Sequence, residues 1–210
     1  MMVPAGLSGK QFNMPPPTLP ATQTDSQTET LHQAYETIER ELGARMNMKD
    51  RELERLARVI VDESLYHDFD PLFVLAVIHV ESLFDPKAVS PTGAKGLMQI
   101  VNSTFREQIK INKLEGFRVF NPEHNVKVGI GYLAFLGQSF KRPERLLLAY
   151  NQGPSGANAI LNHGAVPTEE AATYASKVLR VYKRLLKKHN VEVRNVRTVF
   201  RSPERTLVRR

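Results

Sequence analysis

Cysteine and tryptophan are both absent from the 210 residues of this chain. The lack of cysteine excludes disulfides, thiolate nucleophiles and cysteine-ligated metal sites. The six histidines are scattered, with no pair at the spacing of metal ligands, so we expect no metal and no other cofactor. With no tryptophan, and with Phe200 as the one aromatic residue after Lys188, the chain gives little support for stacking on nucleic-acid bases.

Long apolar runs are also lacking. No run reaches the roughly 18 residues that a membrane-spanning helix needs. Residues 1–10 have neither the basic nor the apolar region of a secretory signal, so we expect export by another route or by a signal outside this sequence. A hydrophobic fraction of 41% with 24% charged residues is typical of globular proteins. We therefore predict one ordinary domain with tails.

Positive charge is concentrated at the C-terminal end of the chain. Residues 177–210 contain 12 Lys and Arg against 2 Asp and Glu, which leaves 17 against 20 in the residues before them. Such a basic segment suits an anionic partner, for example a wall polymer, a lipid headgroup or nucleic acid. A solvated helix end followed by a loose tail explains the same charges equally well.

Proline content, helical periodicity and charge divide the chain into four segments. Residues 1–27 hold five prolines among polar side chains, and we predict a disordered leader there. Residues 28–49 are predicted to form an N-terminal helical extension, residues 50–188 the main domain, and residues 189–210 a basic tail. The main domain is predicted to be all-α, with no confident strand pair.

Apolar residues at helical spacing, together with helix-start signals, place the individual helices. We predict helices over residues 28–45, about 50–66, from Pro71 to a point before Pro86, after a cap at Asn102 or Ser103, from Pro122 to about 136, and over about 143–150, 155–162 and 168–188. Asp70-Pro71 and Asn121-Pro122 each read as a cap followed by proline at the first helical position. Residues 191–200 alternate weakly and could be extended.

Glu81 is the candidate chemical centre. It takes the fourth position of a helical stripe whose other members, Val74, Val77 and Ile78, are apolar. Glutamate is rarely buried without a partner. Partial burial disfavours the charged carboxylate and raises the pKa, so that Glu81 could donate a proton near neutral pH. From the spacing alone, a helix-end role or an ion pair with a nearby lysine is the better-supported interpretation.

The segment that begins at Glu81, ESLFDPKAVSPTGAKGLMQI, resembles the signature of the soluble lytic transglycosylase family. Three further stretches match that family in order: Asn121-Pro122 with Asn125, Gly129, Tyr132 and Leu133; AYNQGP at residues 149–154; and Tyr174 with Val178. The resemblance covers about residues 55–185. Four ordered blocks are far more specific than the single Glu-Ser pair.

The resemblance implies an all-α, goose-type lysozyme-like domain with a groove that binds peptidoglycan strands. It also implies that Glu81 is the single catalytic acid and base. Glu81 would protonate the oxygen between N-acetylmuramic acid and N-acetylglucosamine, and its carboxylate would then take the proton of the muramic acid 6-hydroxyl. That hydroxyl would close a 1,6-anhydro ring. A general acid that turns into a base is usual in glycosidases.

By the same resemblance, the substrate-binding residues are Ser90, Met98, Gln99, Tyr150 and Asn151. Ser90 and Gln99 would hydrogen-bond the acetamido or hydroxyl groups of the sugars. Tyr150 would place its hydroxyl near Glu81, and Met98 would form an apolar wall of the groove. Packing in the core is an equally good interpretation for Met98.

The sequence does not decide the roles of Asp85 and Tyr174. Asp85 precedes Pro86 and reads as a turn residue, yet it is the one candidate for a second, hydrolytic carboxylate. Tyr174 could equally be a core residue. The leading hypothesis is a peptidoglycan lytic transglycosylase of the cell envelope, exported or delivered by a secretion machine or phage particle. The alternatives are a lysozyme-type hydrolase on the same fold and a non-catalytic peptidoglycan-binding scaffold.

Overall fold

The computed structural model describes residues 21–190, with side chains from residue 28 onward. Its elements are α1 (Ala21–Gly43), α2 (Asp50–Tyr66), α3 (Pro71–Ser82), β1 (Ala94–Lys95), β2 (Ile100–Val101), α4 (Asn102–Asn112), α5 (Pro122–Gly137), α6 (Pro143–His163) and α7 (Glu169–Lys188). The predicted all-α class is confirmed. The one departure is the short antiparallel pair of β1 and β2, in which Ala94 lies opposite Val101.

Helix α3 is the central element of the fold. Its residues 72–78 are all buried, and it packs against α7, α2 and α1. A helix that is apolar all round is stable only where other elements surround it. Its start follows the prediction: the Asp70 side chain accepts a hydrogen bond of 2.8 Å from the Leu72 amide, and Pro71 follows the cap. The polar last turn, which carries Glu81, consequently emerges from the core.

Helices α2 and α7 are amphipathic and cover α3. Helix α2 has the predicted bounds and buries one stripe of side chains that includes Leu56 and Ile60. Helix α7 follows Thr168, whose hydroxyl accepts a hydrogen bond of 3.2 Å from the Ala171 amide. Both helices thus present an apolar face inward and a charged face outward.

The segment Pro143–His163 bends at Gly153. Two short helices with a loop between them are predicted there, and the structure joins them through a kink in which Gly153 has φ 72° and ψ 162°. Glycine adopts this conformation readily because it has no Cβ. Pro154 follows in the second helical part, where its fixed φ suits a helix start. The kink turns residues 151–153 towards the groove described below.

Helix starts differ from prediction at two places. Helix α1 begins at Ala21, so residues 21–27 are helical, contrary to the predicted disordered leader. They contain neither proline nor glycine and extend a helix whose later turns are packed. Helix α4 has Val101 at its cap position, not Asn102 or Ser103, because β2 runs directly into the helix. Residues 1–20 and residues 191–210, which include most of the basic tail and the stretch for which an extended conformation was considered, lie outside the described residues.

A buried carboxylate connects α1 to the end of α7. Glu41 is 1% exposed, accepts hydrogen bonds from Lys188 and His189, and pairs with Arg45. Burial raises the pKa of Glu41, but its bonds to Lys188 and His189 and the charge of Arg45 outweigh it and hold the pKa below its ordinary value. Helix α1 therefore packs as part of the main body. No helix between residues 21 and 190 is long and apolar enough to cross a bilayer.

Candidate active site

A groove of about 520 Å³ crosses the surface where the end of α3 meets α7, the bend of α6 and the loop that contains the small sheet. Five of the six predicted site residues line it: Glu81, Ser90, Gln99, Tyr150 and Asn151. They come from three separate stretches of the chain. The tertiary structure therefore gathers the blocks on which the family resemblance depends.

Glu81 lines the groove and is partly buried. Its Oε1 accepts a hydrogen bond from the hydroxyl of Tyr174. Burial raises the pKa of Glu81 to about 7, the bond from Tyr174 acts in the opposite direction, and the nearby charge of Glu170 adds to the rise. The expectation of a raised pKa from the apolar stripe is thus met. No lysine forms an ion pair with Glu81 among the described residues.

Tyr150 lies beside Glu81 but does not bond to it. Its hydroxyl donates a hydrogen bond of 2.8 Å to the backbone carbonyl of Met98. Burial raises the pKa of this hydroxyl well above its ordinary value, and the charge of Glu81, which lines the same groove, raises it further. A hydroxyl has one proton to donate. The hydrogen bond to the Glu81 carboxyl is made by Tyr174, while Tyr150 was predicted to place its hydroxyl near that carboxyl.

Met98 lies beneath the groove and does not line it. Its side chain is 0% exposed, and it packs against Gly129 of α5 so closely that a Cβ at Gly129 would lie 2.4 Å from the sulfur. A methionine side chain adapts well to such a gap. The predicted role as a groove wall is therefore not what the structure shows, and the packing interpretation describes this residue.

Asn125 anchors the loop that carries the sugar-binding candidates. It is fully buried, and its Oδ1 accepts a hydrogen bond of 2.8 Å from the Met98 amide. Its Nδ2 donates to the carbonyls of Lys95 and Val119, both at 2.9 Å. Gly96 passes so near that a Cβ there would lie 2.5 Å from this nitrogen, and its φ is 76°. Asn125 belongs to one of the stretches that resemble the family, but the sequence did not predict that it holds this loop.

Gln99 presents an acceptor to the groove. Its Nε2 donates hydrogen bonds to the carbonyls of Ala88 at 3.2 Å and Gly96 at 2.9 Å. Because both partners are acceptors, the amide nitrogen must face them, which leaves Oε1 for other partners. Gln99 has a φ of 46°, a left-handed conformation that is uncommon outside glycine. Such strain persists only where the surroundings enforce it, and it is frequent at binding sites.

Ser90 and Asn151 supply further polar groups to the groove. The Ser90 hydroxyl accepts a hydrogen bond of 3.0 Å from the Ala94 amide and lies 2.9 Å from the hydroxyl of Thr92. The Oδ1 of Asn151 accepts 2.6 Å from the side chain of Gln152, which leaves the Asn151 amide nitrogen as a donor. The groove thus contains an acceptor, the Oε1 of Gln99, and a donor, the amide nitrogen of Asn151. An acetamido group, which has one N–H and one carbonyl, can bond to both.

The loop residue Asp85 is a turn residue, as its place before proline predicts. Its Oδ1 accepts a hydrogen bond of 2.8 Å from the Lys87 amide, and it does not line the groove. The second carboxylate of the groove is Glu170 on α7, which the sequence did not single out. Asp85 is therefore not placed to act as the second carboxylate of a hydrolytic reaction.

Helix α7 contributes three groove residues, Glu170, Tyr174 and Lys177. Their spacing, i, i+4 and i+7, places them on one face of the helix. This spacing can be read from the sequence, but the sequence does not indicate which face of α7 contacts Glu81. Tyr132 of α5 is another groove residue without an assigned role, and its ring centroid lies 5.6 Å from that of Tyr150.

Two sequence relatives are lytic transglycosylases by name. The membrane-bound lytic murein transglycosylase C of Photorhabdus laumondii is 30% identical over 158 residues, which are 68% of this chain and 43% of that protein. The soluble lytic murein transglycosylase of Escherichia coli (strain K12) is 31% identical over 124 residues, 51% of this chain and 19% of that protein. The chain thus spans less than half the length of these relatives.

Solved structures share the fold. The lytic transglycosylase Slt of Pseudomonas aeruginosa superposes with a TM-score of 0.60 at 20% identity, over 80% of this chain and 30% of that one. The 70 kDa soluble lytic transglycosylase of Escherichia coli gives the same TM-score and identity, over 83% of this chain and 32% of that one. These superpositions confirm the predicted lysozyme-like fold. Residues 45–171, more than half of the chain, match the transglycosylase SLT domain, and the chain therefore belongs to that family.

Proposed function

We propose that this chain is a peptidoglycan lytic transglycosylase. It cleaves the β-1,4 bond between N-acetylmuramic acid and N-acetylglucosamine and leaves 1,6-anhydromuramoyl ends. The observation that carries this proposal is the carboxyl of Glu81, which lies in a groove, is held by Tyr174 and has a pKa of about 7. A carboxyl with that pKa is present near neutral pH in both its protonated and its ionised form.

Both forms are needed in one catalytic cycle. Protonated Glu81 gives its proton to the glycosidic oxygen, the bond from that oxygen to C1 of the muramic acid breaks, and the glucosamine leaves as an alcohol. The resulting carboxylate then takes the proton of the 6-hydroxyl, whose oxygen bonds to C1. The acid is thereby regenerated, and no water is consumed. The N-acetyl group of the substrate would support the electron-poor C1 between the two steps.

A lysozyme-type hydrolase is the second candidate, because Glu170 adds another carboxylate to the groove. In that reaction a water molecule, activated by a carboxylate, would attack C1 in place of the 6-hydroxyl. The two reactions share their first step and differ only in the product. Products of the lytic reaction are lighter by one water molecule than those of hydrolysis.

Digestion of purified peptidoglycan in isotopically labelled water separates the two reactions. We expect muropeptides with anhydro ends and no incorporated label, measured by mass spectrometry. Reducing ends that carry labelled oxygen would identify the hydrolase. Binding of strands without any new ends would indicate the non-catalytic scaffold. The Glu81→Gln variant, digested in parallel, serves as the control for contaminating enzymes.

The pH dependence of cleavage should shift in opposite directions in two variants. The first step needs protonated Glu81, so kcat/KM should fall as the pH rises through about 7. The Tyr174 hydroxyl lowers the pKa of Glu81, so Tyr174→Phe should raise it and move that fall to higher pH. Glu170 raises the pKa, so Glu170→Gln should move the fall to lower pH, by less because Glu170 is exposed and screened.

The pH at half-maximal kcat/KM is the quantity to compare among the wild type and both variants. A loss of activity with an unchanged profile in Tyr174→Phe would mean that Tyr174 only fills space. Shifts of the same sign in the two variants would contradict the assignment of this titration to Glu81.

The cell envelope is the site of action that this activity requires, because peptidoglycan lies there. We propose that the chain reaches the envelope by export or by delivery through a secretion machine or a phage particle, and that the basic tail, residues 189–210, binds an anionic envelope polymer. Support for the second proposal comes from the charge of residues 189–210, which contain six arginines against two glutamates.

A further inference from the structure

Lys177 is the one cationic side chain among the residues that line the groove. The carboxyl groups among these residues are those of Glu81 and Glu170, so one positive group faces two carboxyls. Lys177 is exposed, and it has no ion-pair partner within the part of the chain that the structure describes. Its charge is therefore available to a ligand.

The position of Lys177 is set by α7. Tyr174 holds Glu81, and Lys177 follows Tyr174 on the same face of the helix by three residues, about 4.5 Å along the axis. Glu170 precedes Tyr174 by four residues, about 6 Å in the other direction. The helix thus presents a positive group on one side of the catalytic carboxyl and a negative group on the other.

Lys177 makes no ion pair with Glu81 within the described residues. The side chain of α7 that bonds to the Glu81 carboxyl is Tyr174. The charge of Lys177 is therefore free to act on a group outside the protein.

We propose that Lys177 is a specificity residue that binds a carboxylate carried by the muramic acid unit of the strand. This inference rests on the proposed function. N-acetylmuramic acid differs from N-acetylglucosamine by a lactyl ether, which ends in a carboxylate when it is free and carries the carboxylates of the stem peptide when it is substituted. N-acetylglucosamine has no charge. A cation one turn from Tyr174 therefore distinguishes the two alternating sugars, and Glu170 repels the same carboxylate from the opposite end.

Four strand preparations identify the carboxylate that is bound. Two are free of peptide and have the lactyl group either as the carboxylate or as its neutral amide. Two carry stem peptides with their carboxylates either free or amidated. We expect Lys177→Met to lower kcat/KM by about three- to tenfold on one or both carboxylate forms and to leave the amidated forms unchanged. The peptide-free pair reports on the lactyl carboxylate and the other pair on the stem peptide.

Lys183→Met is the matched control, because Lys183 is an exposed lysine of the same helix that does not line the groove. It should behave like the wild type on all four preparations. The pH profile of Lys177→Met should also equal that of the wild type. Raising the ionic strength should reduce the wild-type preference for carboxylate forms, since salt screens an exposed pair.

Equal losses on charged and amidated strands, or no loss on any of them, would overturn the inference. Its failure is distinct from failure of the proposed function, which would appear as absence of anhydro ends with the wild-type chain. In that case, binding of the same strands to Glu81→Gln, with and without Lys177→Met, still tests the lysine. A preference for charged strands that disappears with Lys177 would support it, and an unchanged preference would refute it.

Discussion

Replacing Glu81 with glutamine is expected to slow strand cleavage by about 10²- to 10⁴-fold, the usual contribution of a positioned general acid and base. The amide has almost the shape of the carboxyl and can still accept the hydrogen bond from Tyr174. It has no acidic proton for the glycosidic oxygen and no basic oxygen for the 6-hydroxyl. The rate of release of anhydro-muropeptides from purified peptidoglycan measures the effect.

Glu169→Gln is the matched control, since Glu169 is an exposed neighbour of Glu170 that does not line the groove. The stability of Glu81→Gln separates lost chemistry from lost structure. The pKa of Glu81 is raised in the folded chain, so ionisation of Glu81 destabilises the fold as the pH rises towards about 7. Above that pH the variant should be at least as stable as the wild type. Retained cleavage in a stable variant would refute the mechanism.

Replacing Asn125 with alanine is expected to lower the free energy of unfolding by about 3 to 4 kcal/mol, because a buried group left without its partner costs about 1 to 3 kcal/mol. Three backbone groups lose their hydrogen bonds at once: the amide of Met98 and the carbonyls of Lys95 and Val119. These groups hold the loop against α5. Urea denaturation followed by circular dichroism measures the loss.

Asn112→Ala provides the comparison, because Asn112 is exposed and its side chain bonds only to Gln108 within α4. That change should cost less than about 1 kcal/mol. Asn125→Ala should also reduce activity under conditions where the protein is still folded, since the loop carries Gln99. A loss of stability no larger than that of Asn112→Ala would show that the loop does not depend on Asn125.

The candidate catalytic carboxyl and the tyrosine that bonds to it lie far apart in the sequence. Glu81 lies on α3 and Tyr174 on α7, 93 residues apart. Packing between these two helices brings them together, because both bury apolar faces in the same core. The same packing decides that Glu170 and Lys177 face the groove. Changes in the α3–α7 contact should therefore alter both the pKa of Glu81 and the positions of Glu170 and Lys177 in the groove.

Much of the fold was predictable from local signals. Asp70-Pro71 and Asn121-Pro122 fix two helix starts because the side chain caps the helix and proline suits its first turn. Glu81 could be identified because a carboxyl at the end of an apolar stripe, followed by a specific motif, is unusual. The extra turns of α1 and the short sheet escaped prediction because they depend on packing and on a loop pairing with itself.

The sequence by itself determined most of the helices, the family and the candidate proton donor, since these depend on periodicity, capping and motif residues that lie near one another in the chain. Only the tertiary structure decided which tyrosine holds that donor. Tyr150 and Tyr174 are equivalent as residue types, and the nearest acceptor differs: the Met98 carbonyl for one and Glu81 for the other. It also buried Met98 and turned Lys177 into the groove. Such outcomes depend on spatial distances between elements that are far apart in the chain. The spacing of residues along the chain does not give these distances.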